Sequence, residues 1–373
     1  MPKLLMIINE DRFFLSHRRE IALAAKNNGF DVTIVSKDTG HFKEIESLGL
    51  CTLNLPINPT GMNLLEEFKT FLFLRKLYKT ERPDIVHHVG LKNILWGGVA
   101  AKITKVKGVV NAVSGLGGLF NGNRISTVAK AILKVMSFAN RRDGVKVIFQ
   151  NNDDKQIFID NKVINLSQIE FTKGSGINLS DYQYVPEHDE GKVKIMFTAR
   201  MVKEKGICDL IEAAEILRTK YSDKVIFQLC GRLTANQSGV TKEYMDSHCD
   251  GSYICWLGER DDIHSLLEKS HIMAFPSYYR EGVPKSLIEA SAIGRPIVTC
   301  DSVGCRDVVD DGVNGFLVEP KNPAMLADRL ERLIADKDLR IRMGQVARAK
   351  AERDFNVKSI VDTHMKIYNE LLK

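Results

Sequence analysis

Short apolar runs alternate with helical patterns along the whole chain. Residues 3–9, K-L-L-M-I-I-N, form a continuous apolar run of strand length, and 16–28 places apolar residues at helical spacing, with Ser16 as the expected cap and Gly29 as the stop. A strand is predicted over 31–36, then helix 63–80, strand 84–87, helix 93–103, strand 108–112, helix 125–141 and strand 145–149. Runs this short and this apolar, separated by helices, predict strands buried on both faces of a parallel sheet. A polar stretch beginning at Ser180, S-D-Y-Q-Y-V-P-E-H-D-E-G-K, interrupts the alternation, which restarts with a strand over 193–199. Helix 206–220, strand 225–230, helix 240–248, strand 253–256, helix 261–269, strand 271–275, helix 284–293 and strand 296–300 follow, and helices over 322–335, 338–352 and 356–372 come last. The expectation is an α/β protein of two doubly wound parallel-sheet domains, 1–178 and 179–355, with residues 356–373 packing back on the first. Such sheets bind ligands at the carboxyl ends of their strands, so two such edges are expected to face a cleft.

The richest segment for chemistry is 275–294, F-P-S-Y-Y-R-E-G-V-P-K-S-L-I-E-A-S-A-I-G, which predicts strand, loop and a helix with Pro284 in its first turn. A helix starting at the carboxyl end of a strand aims unpaired N–H groups and its positive dipole end at the edge, where a diphosphate is stabilised. Glu281 precedes that start, where a carboxylate can accept hydrogen bonds from sugar hydroxyls, and Glu289 lies one to two turns in, where it can grip a ribose diol. Seven residues separate the two glutamates. A-S-A-I-G-R-P-I-V and V-G-C-R-D-V-V-D-D-G-V-N-G-F-L-V follow them, and A-R-M-V-K-E-K-G follows the strand over 193–199.

In these motifs, and over nearly its whole length, the chain resembles glycosyltransferase family 4, retaining enzymes of the GT-B fold that use nucleotide-sugar donors. The resemblance implies two Rossmann-like domains, an acceptor-side one first and a nucleotide-sugar-binding one second. It implies Glu281, Arg200 and Lys205 as the catalytic group, the two cations facing the diphosphate, which is what leaving-group stabilisation requires. Donor contacts are implied for Glu289 and for Gly282, Val283, Pro284, Lys285 and Ser286. Gly231-Arg232, after the strand over 225–230, is either a simple turn or a nucleotide contact.

The first half follows the family pattern less closely. Where many members carry a glycine-rich first loop, this chain has N-E-D-R-F-F-L-S-H-R. V-S-G-L-G-G-L-F, 113–120, ends a strand with three glycines that let the backbone approach a ligand. There Ser114 stands where relatives often place a histidine, and Ser114 and Gly115 are acceptor-side or cleft candidates. The S-G-L-G pattern resembles a subgroup that extends polyprenyl-diphosphate-linked sugars in polysaccharide or glycan assembly. His17, and the pair His87-His88 at the end of the strand over 84–87, are expected at the cleft edge, either as sugar contacts or as satisfied strand-end histidines.

Other features narrow the chemistry. No Asp-any-Asp follows a strand, and Asp261-Asp262 reads as a helix cap, so a metal-independent mechanism without cofactor is expected. His248, Cys249 and Cys255 lack a nearby fourth ligand for a metal site, and seven scattered cysteines suit a reducing cytosol. No apolar stretch approaches the roughly 20 residues of a membrane helix, and the first residues lack a signal pattern, so the protein is expected to be neither secreted nor membrane-spanning. No G-x-G-x-x-G follows either first strand, which disfavours a dinucleotide enzyme.

Charge is uneven. Residues 1–178 hold 25 Lys and Arg against 16 Asp and Glu, whereas 179–373 hold 28 against 31. No nucleic-acid module accompanies that basic surplus. Helices 63–80 and 125–142 mix Lys and Arg with aromatic and aliphatic residues, F-K-T-F-L-F-L-R-K-L-Y-K and A-K-A-I-L-K-V-M-S-F-A-N-R-R. Either these helices lie on an anionic membrane surface, or their apolar stripes cover the sheet and the cations are solvated. The expected activity is transfer of a hexosyl or N-acetylhexosaminyl group from a nucleoside-diphosphate donor, a uridine one, to a saccharide acceptor that the subgroup resemblance makes lipid-linked. The expected place is the cytoplasm, or the inner face of the cytoplasmic membrane. A nucleotide-sugar epimerase on the same fold is the alternative.

Overall fold

The computed structural model describes residues 1–59, 61, 63–120, 125–188, 191–234 and 238–373. Asp189 and Glu190 of the polar stretch, and the side chain of Leu119 in the glycine-rich loop, lie outside the described residues. The chain divides into two compact units, Met1–Gly176 with Val357–Lys373, and Ile177–Asn356.

The first unit runs β1 Lys3–Glu10, α1 Asp11–His17, α2 Arg19–Asn27, β2 Asp31–Lys37, α3 Phe42–Ser47, β3 Cys51–Asn54 and α4 Leu64–Glu81. It continues with β4 Ile85–Val89, α5 Leu91–Thr104, β5 Gly108–Ala112, α6 Thr127–Asn140, β6 Val145–Phe149, α7 Asn152–Asp160 and β7 Ile169–Phe171. The second unit holds β8 Val193–Thr198, α8 Ile207–Tyr221, β9 Val225–Cys230, α9 Lys242–His248, β10 Ile254–Gly258, α10 Ile263–Glu268 and β11 Ile272–Phe275. It ends with α11 Lys285–Ile293, β12 Ile297–Cys300, β13 Gly315–Val318, α12 Pro323–Ala335 and α13 Lys337–Asp354, and α14 Val357–Leu372 then belongs to the first unit.

The first sheet is ordered β3-β2-β1-β4-β5-β6-β7 and the second β10-β9-β8-β11-β12-β13. Pairings in both are parallel, so the expected fold class is the one observed. Strands β4, β5, β11 and β12 are buried at every position, which is why they read as unbroken apolar runs. In each sheet the strand order reverses beside the first strand, at β1/β4 and at β8/β11, and doubly wound sheets bind ligands at that reversal.

Apolar cores fill both faces of the first sheet. On one, α14 contributes Ile360, His364, Ile367, Tyr368 and Leu371, one stripe at helical spacing. The other core lies beneath α4, α5 and α6.

Four local expectations need correcting. The helix expected over 16–28 starts at Asp11 and breaks at Arg18, and the Ser16 hydroxyl donates back to the carbonyl of Arg12 at 2.9 Å instead of capping. Strand β4 runs to Val89, so His87 and His88 sit inside it, fully buried. Pro284 is the extended N-cap of α11, with φ −63° and ψ 124°, so the helix starts at Lys285. Asp262 holds the N-cap position of α10 without capping it, because its carboxylate pairs with Arg260 at 2.7 Å.

Candidate active site

In the second unit, the loops that leave β8 and β11 meet at the sheet's reversal. After β8 come Arg200 and the turn Lys203–Lys205, and after β11 comes the loop that leads to α11. The carbonyl of Glu204 accepts hydrogen bonds from the backbone N–H groups of Tyr278 at 2.9 Å and Tyr279 at 3.0 Å, which locks the loops together. Gly206 closes the turn at φ +80°, where a Cβ would come within 2.1 Å of the Pro276 carbonyl oxygen. No side chain fits there.

This fastening brings Lys205 onto Glu281. Their side chains form an ion pair, 13% and 14% exposed, and the Ser277 hydroxyl donates to Glu281 Oε1 at 3.3 Å. The Lys205 ammonium also stands 5.4 Å from the ring centroids of Phe275 and Tyr279, within cation–π range. Arg200 is half-buried at the strand end, and its guanidinium makes no ion pair among the described residues. Beneath the loop, Ser302 donates to the Ser277 carbonyl at 2.7 Å, and burial pushes the Cys305 thiol up to about 12, leaving it an inert filler. Gly304 presses on Gly282, with φ +83° and a virtual Cβ 1.6 Å from the Gly282 oxygen.

No side chain caps the N-terminus of α11, which begins with Lys285 and Ser286 just after Gly282, Val283 and Pro284. Glu289, on the same helix, is 14% exposed and has Lys285 Nζ 3.9 Å away. Burial raises its pKa, against the opposing pull of Lys285 and of a hydrogen bond from Tyr182. Gly231 follows β9 and is held as a turn, its N–H donating to the Gly258 carbonyl at 2.7 Å and its own carbonyl accepting from Trp256 Nε1 at 3.1 Å. Arg232 follows it directly and is exposed. Thus one sheet edge gathers Arg200, Lys205, Glu281, Glu289 and the start of α11. Tyr182, Ser277 and Gly304 belong to the same constellation but were absent from the sequence-based set.

The first unit gathers less. His17 ends α1, its ring stacked on Phe13 with centroids 4.0 Å apart and its Nδ1 2.7 Å from the Ser16 hydroxyl. Ser114 and Gly115 follow β5 at the carboxyl edge, both partly accessible. The buried carboxylate of Asp11 accepts from the N–H groups of Thr39 at 2.7 Å and His41 at 3.0 Å, tying together the loops after β1 and β2. Burial alone would raise its pKa, but these bonds and the Thr39 hydroxyl outweigh it and hold the group below the usual range.

His87 is not at the edge. Its Nδ1 lies 2.6 Å from the Tyr368 hydroxyl of α14, and its ring centroid is 5.4 Å from that of His364. His88 Nδ1 bonds Asn111 Oδ1 at 2.8 Å and Nε2 bonds the Tyr78 hydroxyl at 2.9 Å. Since Oδ1 only accepts, His88 carries its proton on Nδ1 and receives the tyrosine proton on Nε2. Both histidines brace the sheet. His248 bonds the Tyr244 carbonyl at 2.8 Å, and among the described residues no group of three or more metal-binding side chains occurs.

Residues 181–350 match the model for glycosyl transferases group 1, and residues 3–152 the model for glycosyl transferase 4-like domains. The fold and site define a glycosyltransferase of the GT-B type, and the chain belongs to the glycosyltransferase family that these two models describe. It is 27% identical to the N,N'-diacetylbacillosaminyl-diphospho-undecaprenol alpha-1,3-N-acetylgalactosaminyltransferase of Campylobacter jejuni, over 96% of this chain and 98% of the relative. It is 25% identical to the UDP-Gal:alpha-D-GlcNAc-diphosphoundecaprenol alpha-1,3-galactosyltransferase of Escherichia coli, over 93% of this chain and 90% of the relative. The structure of Anabaena HepE in complex with UDP and glucose superposes with a TM-score of 0.79 at 18% identity, covering 99% of this chain and all of that one, a likeness of fold.

Proposed function

We propose that this protein is a retaining glycosyltransferase that moves a hexosyl or N-acetylhexosaminyl group from a UDP-sugar to a polyprenyl-diphosphate-linked saccharide. The gathering of Arg200, Lys205, Glu281 and Glu289 around the start of α11 carries this reading. The named acceptors of the Campylobacter and Escherichia relatives support the lipid-linked substrate, and the latter's donor supports UDP.

Arg200, Lys205 and the N-terminus of α11 neutralise the departing diphosphate, in place of a metal ion. Glu281 holds the donor sugar by its hydroxyls and keeps Lys205 from swinging away before the donor arrives. Glu289 holds the ribose. The departing phosphate oxygen takes the proton of the incoming hydroxyl on the same face of the sugar, so the new bond keeps the donor's configuration. His17, Ser114 and Gly115 serve the acceptor side.

The acceptor's lipid places the reaction at a membrane surface, and the first unit has a face suited to it. Among the described residues no helix is long and apolar enough to cross a membrane. Yet α4 and α6 each carry two apolar stripes. Leu74 and Tyr78 of α4, and Leu133 and Met136 of α6, are buried, while Leu65, Phe68 and Leu72, and Val128, Val135 and Phe138, are exposed. Lys69, Lys76, Lys130 and Lys134 stand among the exposed set. Sheet covering explains only the inner stripes, so the outer ones support adsorption to anionic headgroups.

The test is incubation with a panel of UDP-sugars and undecaprenyl-diphosphate-linked N-acetylhexosamine, with product mass and anomeric configuration determined. Addition of one sugar with retained configuration is the expected result. Inversion, conversion of the donor without acceptor, or no product from any pair would overturn the reading.

A further inference from the structure

Tyr182 lies outside every motif that points to the site, and the fold places it on Glu289. Its hydroxyl donates to Glu289 Oε1 at 3.0 Å across a sequence separation of 107 residues, and its ring packs on His264 with centroids 4.5 Å apart. The segment is fastened to the helix that carries the glutamate. Arg348 Nη1 donates to the carbonyl of Tyr182 and to that of Ala292, in the last turn of α11, at 2.6 Å each. The N–H of Val185 donates to the Ile293 carbonyl at 3.1 Å.

The carboxylate of Glu289 is thereby used unequally. Oε1 meets the Tyr182 hydroxyl and has Lys285 Nζ at 3.9 Å, whereas Oε2 has no hydrogen-bond partner among the described residues. The last torsion of a glutamate is broad, so a carboxylate free at both oxygens would sample many orientations. Anchoring one oxygen removes that freedom before the ligand binds, and binding then loses less entropy. A neutral phenol does this without cancelling the carboxylate's charge.

The geometry points to Tyr182 as a positioning residue for the donor: its hydroxyl sets the Glu289 carboxylate so that Oε2 receives the ribose hydroxyls of a nucleoside diphosphate sugar. This rests on the reading of Glu289 as the ribose ligand. Tyr182→Phe keeps the ring on His264 and removes only the hydroxyl. With the donor accepted in the assay above, the variant is expected to raise the donor KM about three- to tenfold, the scale of a typical net hydrogen-bond contribution, and to leave kcat within about twofold. Glu289→Gln is expected to raise the same KM, and Tyr182→Phe added to it to change nothing further, since the two groups act as one. If Glu289→Gln raises KM and Tyr182→Phe does not, the positioning role is wrong and the ribose reading stands. If Tyr182→Phe keeps its full effect in the Glu289→Gln background, the tyrosine acts elsewhere and the proposal fails. If Glu289→Gln leaves donor KM unchanged, the ribose reading itself fails and the proposal with it.

Discussion

The two units share a topology, but the histidines singled out in the first and the charged residues singled out in the second are placed differently. In the first, histidine, tyrosine, asparagine and arginine are sealed inside: His87 on Tyr368, His88 between Tyr78 and Asn111, and Arg18 buried, its pKa pulled down to about 10 by desolvation. In the second, Lys205, Glu281 and Glu289 remain partly accessible at the strand ends. A buried polar group with partners on two elements fixes their packing, and an accessible pair of opposite charges at a sheet reversal can be taken apart by a ligand. Residue type alone therefore does not assign chemistry. Position along the strand does: His87 and Lys205 differ in whether the backbone has left the sheet.

The largest expected effect tests the second unit. Lys205→Ala and Glu281→Ala should each lower kcat at least about a hundredfold, the scale of a single lost transition-state contact, and wild-type turnover in either would break the contrast. Acid tests the first. The pKa values of His87, His88 and His364 are lowered chiefly by burial, His88 to about 4 and His364 to about 3. Because these folded values lie below the unfolded one, the unfolded chain binds protons first as pH falls below about 6.5, and stability drops until the folded values are reached. Between pH 7 and pH 5 the loss should be roughly 1 to 2 kcal/mol for each histidine. Urea unfolding at the two pH values should show a smaller loss for His364→Leu than for the parent, and an equal loss would return His364 to the surface.

Glu289→Ala should raise the donor KM about tenfold with a smaller change in kcat, because a ribose contact is similar in ground and transition states. A pure kcat defect would move Glu289 to the reacting centre. The smallest effect concerns the exposed stripes. Co-sedimentation with vesicles containing phosphatidylglycerol should weaken by about 1 kcal/mol for each of Lys130 and Lys134 replaced by glutamine, and vanish in high salt. Absence of binding to such vesicles at low salt would leave the outer apolar residues without a membrane role.

Fold and site were legible to different depths. Long buried strands declared themselves by composition alone, and β5, β6 and β9 start and stop where the apolar runs do. Strand β3 is mostly exposed and β7 is three residues long, so neither carries the signal of a buried strand. His87 and His88 were misplaced because a polar pair closing an apolar run looks like the strand's end, when here each has a buried partner. The charged site residues came from motif resemblance. Tyr182 did not, since nothing local marks a contact made 107 residues away.

The route of the chain has a consequence for biosynthesis. Residues 177–356 form an inserted body whose two ends bridge each other, Ile177 pairing with Asn356, and on the other side of that crossing a Cβ on Gly176 would lie 2.8 Å from the Val357 Cα. The part translated second can thus close on itself as soon as Asn356 has emerged. The part translated first must wait with part of one sheet face uncovered, because Ile360, Ile367, Tyr368 and Leu371 of α14 follow the inserted body in sequence. Completion of the first unit's core therefore follows synthesis of the whole inserted body, although most of that unit is made before it.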